Sequence, residues 1–379
     1  MSPAGRAAGI PLGRLGGVPV TLSWSWFVIA AVTVVLYTPV LMARYPELGP
    51  LNYAVALGFA LTLALSVLLH ELAHAWTGRA FGWPTGRIVL TLLGGHTSFG
   101  DVRTTPLASA VVSLAGPAVN LALGLAGLAA LRLGERPDTL GWILLDLTTW
   151  ANLIVGVFNV LPGLPLDGGR VVEALVWAIT GRESSGTVAA AWAGRILAAG
   201  LVLGVVATGL WQQTTMLLLV LLIAGFMWQG ATASLRAAAV LTRMHGVSAT
   251  TLARPAVGVP ASASLGHTDR VVTAFLARRP GDARPEVPDV VALDPHGRVV
   301  GVLEPAAANA VPAARRESTP LTAVLHGVAA DAVLDAGLRE EALLRAVAAR
   351  QHPRWVVTGP DGAPVGVLST AALERLLAG

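Results

Sequence analysis

The chain has 379 residues, of which 54% are hydrophobic and only 13% are charged, and its mean hydropathy is +0.66. These values lie outside the range of ordinary soluble domains and predict a membrane protein. The absence of cysteine excludes disulfide frameworks and thiolate metal sites, so any metal must be held by histidine and carboxylate side chains. All 26 basic residues are arginine, and arginines that flank membrane spans account for the net charge of +4 without a direct nucleic-acid partner.

Six apolar stretches are long enough to cross a lipid bilayer, which takes roughly 20 helical residues. They predict membrane helices over Val18–Met42, Tyr53–Trp76, Leu107–Leu131, Leu140–Leu161, Val188–Leu210 and Thr214–Ser234. The first stretch is too long for a signal peptide, and no small-residue cleavage site follows it. We therefore expect it to remain in the protein as a helix.

The arginines around these stretches predict the orientation in the membrane. Nine arginines flank the spans on the same side of the membrane as the N-terminus, among them Arg14, Arg79 and Arg170, whereas three lie on the opposite side of the membrane. Cytoplasmic loops carry the excess of basic residues, so both termini are expected in the cytoplasm. The high content of arginine, alanine, glycine and proline is typical of a GC-rich genome, and we expect a bacterial protein of the inner or plasma membrane.

The second apolar stretch runs into the sequence His70-Glu71-Leu72-Ala73-His74. Two histidines four residues apart lie on one face of a helix, so both imidazoles can reach one metal ion. The glutamate between them is placed to activate an attacking water molecule. Ionisable groups are costly within a membrane and are functional by default, so the cluster predicts a metal-dependent hydrolytic site rather than a structural feature.

A catalytic zinc ion needs a third protein ligand and an open position. The candidates in the membrane half of the chain are His96, Asp101, Asp146, Asp167 and Glu173. His70 lies roughly 26 Å into its span, whereas Asp146 lies only roughly 9 Å into a span that enters from the same side, which makes it too shallow. Asp167 matches the motif in depth, although Asp-Gly is also a turn signal. His96 is interpreted as a surface or substrate-contacting residue, because a fourth protein ligand would close the site.

The sequence that leads to Asp167 is irregular. Asn159 is followed by Pro162, Gly163 and Pro165, which break the helix where it reaches the predicted metal. Irregular backbone at membrane depth is tolerated only where it is buried in protein or lines a polar cavity. Asn159 is placed to donate a hydrogen bond to a developing oxyanion.

Residues Arg87 to Phe99, between the second and third spans, are typical of extended chain with a turn at Gly94-Gly95. A strand here can offer an unpaired edge to a substrate segment, which must be unwound before its peptide bonds are accessible to water. The alternative is a plain interfacial loop.

The composition changes after about Arg236, which predicts a membrane domain over residues 1–235 and a second domain over 236–379. The segment Val290–Leu303 returns as Trp355–Leu368, a period of 65 residues. Each copy predicts two strands joined by a turn and followed by a helix, so two similar modules are expected at about 245–310 and 318–379. The predicted fold class is a polytopic α-helical membrane protein with about six spans, followed by a cytoplasmic α/β domain.

His-Glu-x-x-His on a membrane helix, followed by Asn-x-x-Pro-x-x-Pro-Leu-Asp-Gly, resembles the site-2 protease family of intramembrane zinc metalloproteases. The resemblance covers most of residues 10 to 235. Within the family, the six-span layout with a cytoplasmic tail resembles the branch that contains the sporulation factor protease. It implies one zinc ion per chain, with His70, His74 and Asp167 as ligands and Glu71 as general base.

The same resemblance suggests roles for Asn159 and for Asn120 of the sequence Gly-Pro-x-x-Asn, although a helix-packing amide explains Asn120 almost as well. It implies single-pass membrane substrates, such as anti-sigma factors or membrane-tethered transcription factors, cleaved in the bilayer near its cytoplasmic face.

The second domain resembles a CBS pair, in which a Gly-hydrophobic-hydrophobic-Ser/Thr-x-x-Asp element often binds adenine nucleotides. The two copies here run from Gly301 through Glu304 to Ala307 and from Gly366 through Ser369 to Ala372, so neither has the aspartate. Regulation by dimerisation or by substrate docking is therefore at least as much expected as nucleotide binding.

Two other functions compete with proteolysis. A transporter or channel gated by its CBS pair would need polar residues along a continuous path, whereas they concentrate at the inner ends of the second and fourth spans. An inactive scaffold would need a missing site residue, and none of the four is missing.

Overall fold

The computed structural model describes residues 9–91, 94–99, 104–134, 139–278, 287–350 and 352–378. The chain divides into two compact units, Met1–Ala238 and Ala239–Gly379. The elements up to the end of the last long helix are β1 (Gly9–Leu15), β2 (Val18–Ser23), α1 (Trp24–Arg44), α2 (Leu51–Ala80), β3 (Thr85–Thr91), β4 (Gly94–Phe99), α3 (Pro106–Leu133), α4 (Leu140–Val160), α5 (Asp167–Thr180), α6 (Glu183–Ala207) and α7 (Thr214–Met244).

Within the described residues, six helices are long and apolar enough to cross a membrane, namely α1, α2, α3, α4, α6 and α7. The shortest has 21 residues, which corresponds to about 31 Å of helix, close to the thickness of a bilayer core. The predicted polytopic helical fold is confirmed.

The prediction for the first span is wrong at its N-terminal end. Val18–Ser23 forms strand β2, and the helix begins only at Trp24, where the Ser23 side chain accepts a hydrogen bond from the Ser25 amide. Gly16 and Gly17 have φ angles of +54° and +81°, which reverse the chain so that β2 pairs with β1. Strand and helix are both apolar, so the sequence shows no change of composition between them.

A four-stranded sheet in the order β1-β2-β3-β4 covers the end of α2. β2 and β3 are parallel, whereas β3 and β4 are antiparallel, which leaves β4 at one edge. The buried face of the sheet, including Val20 and Ile88, packs against Leu72 and Ala75 of α2. The sheet is therefore fixed to the turn of helix that carries the predicted metal-binding sequence.

The extended chain predicted over Arg87 to Phe99 is confirmed as strands β3 and β4. The predicted turn is misplaced, because Gly94 and Gly95 belong to β4 and pair with Thr91 and Leu90. Residues 92 and 93, which connect the strands, lie outside the described part of the chain.

The remaining elements are α8 (Ala249–Leu252), β5 (Arg254–Pro260), α9 (Leu265–Ala277), β6 (Asp289–Leu293), β7 (Val299–Leu303), α10 (Pro305–Asn309), β8 (Leu325–Gly327), β9 (Val333–Asp335), α11 (Glu340–Ala348), β10 (Arg354–Thr358), β11 (Pro364–Ser369) and α12 (Thr370–Ala378). Their sheet has the order β8-β7-β6-β5-β11-β10-β9.

The predicted repeat is confirmed in this sheet. In each copy a strand pairs in parallel with the first strand of a hairpin, β5 with β6 and β9 with β10. The two copies join where β11 pairs with β5. Each copy has its own apolar core, one around Trp355 and Leu368 and the other around Leu265 and Val290.

Candidate metal centre

The two histidines of α2 lie one helical turn apart and direct their imidazoles to one point. His70 and His74 are each 8% exposed, and their Nε2 atoms are 3.0 Å apart. The spacing of four residues brings both rings to the same face of the helix, as the sequence predicts.

Asp167 completes a three-residue cluster with these histidines. Its Oδ2 lies 3.1 Å from Nε2 of His70 and 3.5 Å from Nε2 of His74. The chain reaches this point because α4 ends at Val160 and α5 begins at Asp167 itself. Gly168 follows, and a Cβ there would lie 2.2 Å from the Val160 carbonyl oxygen, so only glycine permits this close return of the chain.

The three donor atoms fit a zinc ion. Four ligands at 2.0–2.1 Å in a tetrahedron lie about 3.3 Å from one another, and the measured separations here are 3.0, 3.1 and 3.5 Å. Two imidazole nitrogens and one carboxylate oxygen are a donor set that zinc takes in catalytic sites, with a fourth position left open.

Helix α3 sets the orientation of both imidazoles. Nδ1 of His74 donates to the Val112 carbonyl oxygen at 2.7 Å, and Nδ1 of His70 lies 2.7 Å from Oδ1 of Asn120. A carbonyl oxygen can only accept, so both protons lie on Nδ1 and both Nε2 lone pairs point to the shared site. Gly116 of α3 faces the same point, because a Cβ there would lie 2.4 Å from Nε2 of His74.

A buried polar network supports Asn120. Its Nδ2 donates to Oδ1 of Asn152 at 3.2 Å, and Nδ2 of Asn152 donates to Ser66 Oγ at 3.0 Å and to the Thr148 carbonyl at 2.9 Å. Asn120 and Asn152 are 1% and 2% exposed. These bonds fix which end of the Asn120 amide faces His70, so the network determines the tautomer of this candidate metal ligand. The sequence interpretation left Asn120 undecided and did not identify Asn152.

Glu71 lies beside the cluster and is 6% exposed. Its Oε2 accepts a hydrogen bond of 2.7 Å from the Thr97 hydroxyl on β4. A cavity of about 430 Å³ is lined by Glu71, His74 and Asp167 together with residues of β4, α3 and α6. A peptide segment in this cavity would contact the Glu71 carboxylate and the candidate metal ligands His74 and Asp167 at once.

The other candidate ligands lie apart from the cluster. His96 is exposed and lines the cavity without joining the three donor atoms. Asp146 lines a different cavity beside Arg44. Glu173 is buried and accepts hydrogen bonds from Arg170 and Thr187, so it joins α5 to α6. Asp101 lies outside the described residues.

Asn159, the predicted oxyanion donor, is half-buried in the last turn of α4. Among the described residues the structure gives its side chain no hydrogen-bond partner. The oxyanion role therefore stays a prediction.

Comparison with known proteins identifies the family of the first unit. The model of "Peptidase family M50" matches residues 58–136 and 139–207. Rip3 of Mycobacterium tuberculosis, a protein classed by its name among the zinc metalloproteases, is 37% identical over 197 residues, which are 50% of this chain and 49% of that protein. YwhC of Bacillus subtilis, classed by its name in the same way, is 34% identical over 154 residues, which are 31% of this chain and 68% of that protein. The chain spans about half the length of the first curated relatives it matches.

Two solved structures also match parts of this chain. A site-2 protease from Methanocaldococcus jannaschii matches 60% of this chain and 95% of its own, with 24% identity and a TM-score of 0.44. A CBS domain of a bacterial CNNM/CorC family Mg²⁺ transporter matches 42% of this chain and 94% of its own, with 14% identity and a TM-score of 0.26. On the sequence match to YwhC and the agreement with the family model, the chain belongs to peptidase family M50.

Proposed function

We propose that the chain is a zinc-dependent endopeptidase that cleaves transmembrane segments of single-pass membrane proteins near the cytoplasmic face of the membrane. The observation that carries the proposal is the convergence of His70 Nε2, His74 Nε2 and Asp167 Oδ2 within 3.5 Å of one another, beside the buried Glu71 carboxylate. Zinc and a general base at one site are the components of metal-assisted peptide hydrolysis.

The residues of the chain divide the chemistry among them. His70, His74 and Asp167 would hold the metal, which supplies a Lewis acid that polarises the scissile carbonyl and acidifies a water molecule. The Glu71 carboxylate accepts the proton of the attacking water and then passes it to the leaving amine. Asn159 is proposed as the donor to the oxyanion.

Strand β4 offers an edge to which an extended substrate segment could add. A membrane-spanning helix hides its peptide groups in its own hydrogen bonds, so the scissile segment must first become extended. β4 is the edge of its sheet, and Thr97 of this strand contacts the general base. A substrate segment that adds to β4 as a further strand would therefore lie beside Glu71.

Regulation and setting are also part of the proposal. The substrates would be anti-sigma factors or membrane-tethered transcription factors in a bacterial plasma membrane, with both termini of the enzyme in the cytoplasm. The CBS pair would regulate cleavage through dimerisation, substrate docking or an adenine nucleotide. A cavity of about 540 Å³ in the second unit is lined by Arg254, Arg354 and Ser369, whereas Glu304, where a hydroxyl is expected, lies 3.2 Å from Arg354.

The decisive experiment compares membrane-protein fragments from cells that express the wild type, Glu71→Gln or Asp146→Asn. Glu71→Gln removes the base and keeps the shape, so uncleaved substrates should accumulate and their cytoplasmic fragments should disappear. Asp146→Asn is the matched control, because this carboxylate lies in another cavity, and it should give the wild-type pattern. Identical fragments in the wild type and Glu71→Gln would exclude proteolysis by this site.

A further inference from the structure

We propose that Thr97 is a positioning residue, which holds the Glu71 carboxylate by a hydrogen bond and couples it to the substrate-facing strand β4. The proposal rests on the proposed function for the role of Glu71 as general base. It assigns to a hydroxyl on a separate element the task of orienting the base.

The contacts of Thr97 are both to Glu71. Its Oγ1 lies 2.7 Å from Glu71 Oε2 and 3.2 Å from the Glu71 carbonyl oxygen. The shorter contact is to the carboxylate, which is the stronger acceptor. Among the described residues no other donor reaches this carboxylate, so its orientation depends on Thr97. A carboxylate that is 6% exposed has little water to replace a lost donor.

Strand geometry makes the contact a property of one face of β4. Residues 95 and 97 share a face because side chains alternate along a strand. A Cβ at Gly95 would lie 2.5 Å from Cγ of Glu71, so the strand packs directly on this side chain. Ser98 faces the other way, and its Oγ bonds the backbone of Arg87 at 3.0 and 3.1 Å. Gly95 thus leaves the space for Glu71, and Thr97 supplies the donor.

The arrangement has a consequence for catalysis. Thr97 takes one lone pair of Oε2, so Oε1 is the carboxylate oxygen that keeps both lone pairs free of the Thr97 hydroxyl to accept a proton from water. Because Thr97 belongs to the edge strand, any displacement of β4 on substrate addition moves the donor and reorients the base. Placement of the substrate and orientation of Glu71 are therefore linked through one side chain.

The test uses full-length protein in detergent with two substitutions at Thr97 and a matched control on the same strand. Thr97→Val keeps the shape and removes the donor, and Thr97→Ser keeps the donor. Ser98→Ala removes two hairpin hydrogen bonds that do not involve Glu71. Turnover is measured with fluorescently labelled casein as an unfolded probe, and zinc content is measured in parallel. A second measurement needs no turnover: the cobalt-substituted proteins are titrated with acetohydroxamate, a metal ligand whose protons need an acceptor beside the metal.

The proposal expects Thr97→Val to retain one zinc and to lose about tenfold to a hundredfold in kcat, with KM within about twofold, because a hydrogen bond to a charged group is lost. Acetohydroxamate should bind this variant about tenfold more weakly. Thr97→Ser should restore both values to within about threefold, and Ser98→Ala should match the wild type.

Wild-type values for Thr97→Val in both measurements would overturn the proposal, as would loss of its zinc or equal losses in Ser98→Ala. The proposal would also be overturned if Thr97→Ser showed the same loss of kcat and of acetohydroxamate binding as Thr97→Val. If the zinc-loaded wild type cleaves nothing, the proposed function fails, and the acetohydroxamate titration decides the role of Thr97 on its own.

Discussion

Replacement of Gly116 by alanine should abolish zinc binding while leaving the fold intact. The added Cβ would lie 2.4 Å from Nε2 of His74 and 2.5 Å from Nε2 of His70, whereas ordinary contacts begin at 3.4 Å. The nitrogens would therefore have to retreat by 3.4 − 2.4 = 1.0 Å and 3.4 − 2.5 = 0.9 Å. Zinc sites tolerate only about 0.2 Å in their bond lengths.

The imidazoles have little freedom to retreat, because each is held through Nδ1 at 2.7 Å. Disturbing a residue behind a metal ligand alone costs about tenfold to a hundredfold in metal affinity. Displacing two ligands should therefore cost more than about a hundredfold. The stability of helix α3 itself should increase, because alanine is favoured over glycine in a helix interior by about 1 kcal/mol.

The assay is zinc content after dialysis against chelators of graded affinity, together with thermal unfolding followed by circular dichroism. Gly225→Ala is the matched control, because this glycine lies in α7 with nothing within 4 Å of an added Cβ. Gly116→Ala should lose zinc and keep its helical signal, whereas Gly225→Ala should keep both. Wild-type zinc affinity in Gly116→Ala would refute the placement of the metal between the two imidazoles and α3.

Three further predictions concern the supporting structure. Asn152→Leu is similar in volume but leaves Asn120 without its acceptor, and it should weaken zinc binding by about tenfold to a hundredfold in a chelator competition. Removal of metal by a chelator should lower the unfolding temperature of the wild type, because the ion binds only the folded state. At a thousandfold excess of metal over Kd, this binding adds about 4 kcal/mol to the free energy of unfolding. Asp167→Ala should show no change of unfolding temperature with chelator in scanning fluorimetry. Trp355→Ala empties a fully buried position and should destabilise the second unit by about 3–5 kcal/mol in denaturant unfolding, with zinc content of the full chain unchanged.

The ease of predicting each part of the site follows from how local its signal is. His70, Glu71 and His74 are recognisable because five consecutive residues on one helix carry the pattern. Asp167 is nearly a hundred residues away, and it emerges only from the broken helix before it and from the depth that it shares with His70. The fold of the membrane unit is similarly predictable where apolar runs are bounded by polar loops.

What sequence reasoning missed lacks such a signal. Asn152 and Thr97 are single polar residues within long segments. Asn152 lies 32 residues from its partner Asn120, and Thr97 lies 26 residues from its partner Glu71, so no local pattern relates the members of either pair. Strand β2 was not predicted for a related reason, since its apolar residues are continuous in sequence with those of α1. In both cases the determining contacts are made across the fold and not along the chain.

In the proposed site, the segment His70–His74 supplies the reactive groups of α2, but other elements fix their orientation. α3 orients both imidazoles through Val112 and Asn120, whereas β4 orients the carboxylate through Thr97. The two supports share no hydrogen bond among the described residues, so they should be separable. A substitution on the α3 side should change zinc affinity, and a substitution on β4 should change turnover at full zinc occupancy. If Asn152→Leu and Thr97→Val are combined, their effects on zinc affinity and on kcat should therefore be those of the single variants, and a large coupling between them would show that helix and strand act as one unit.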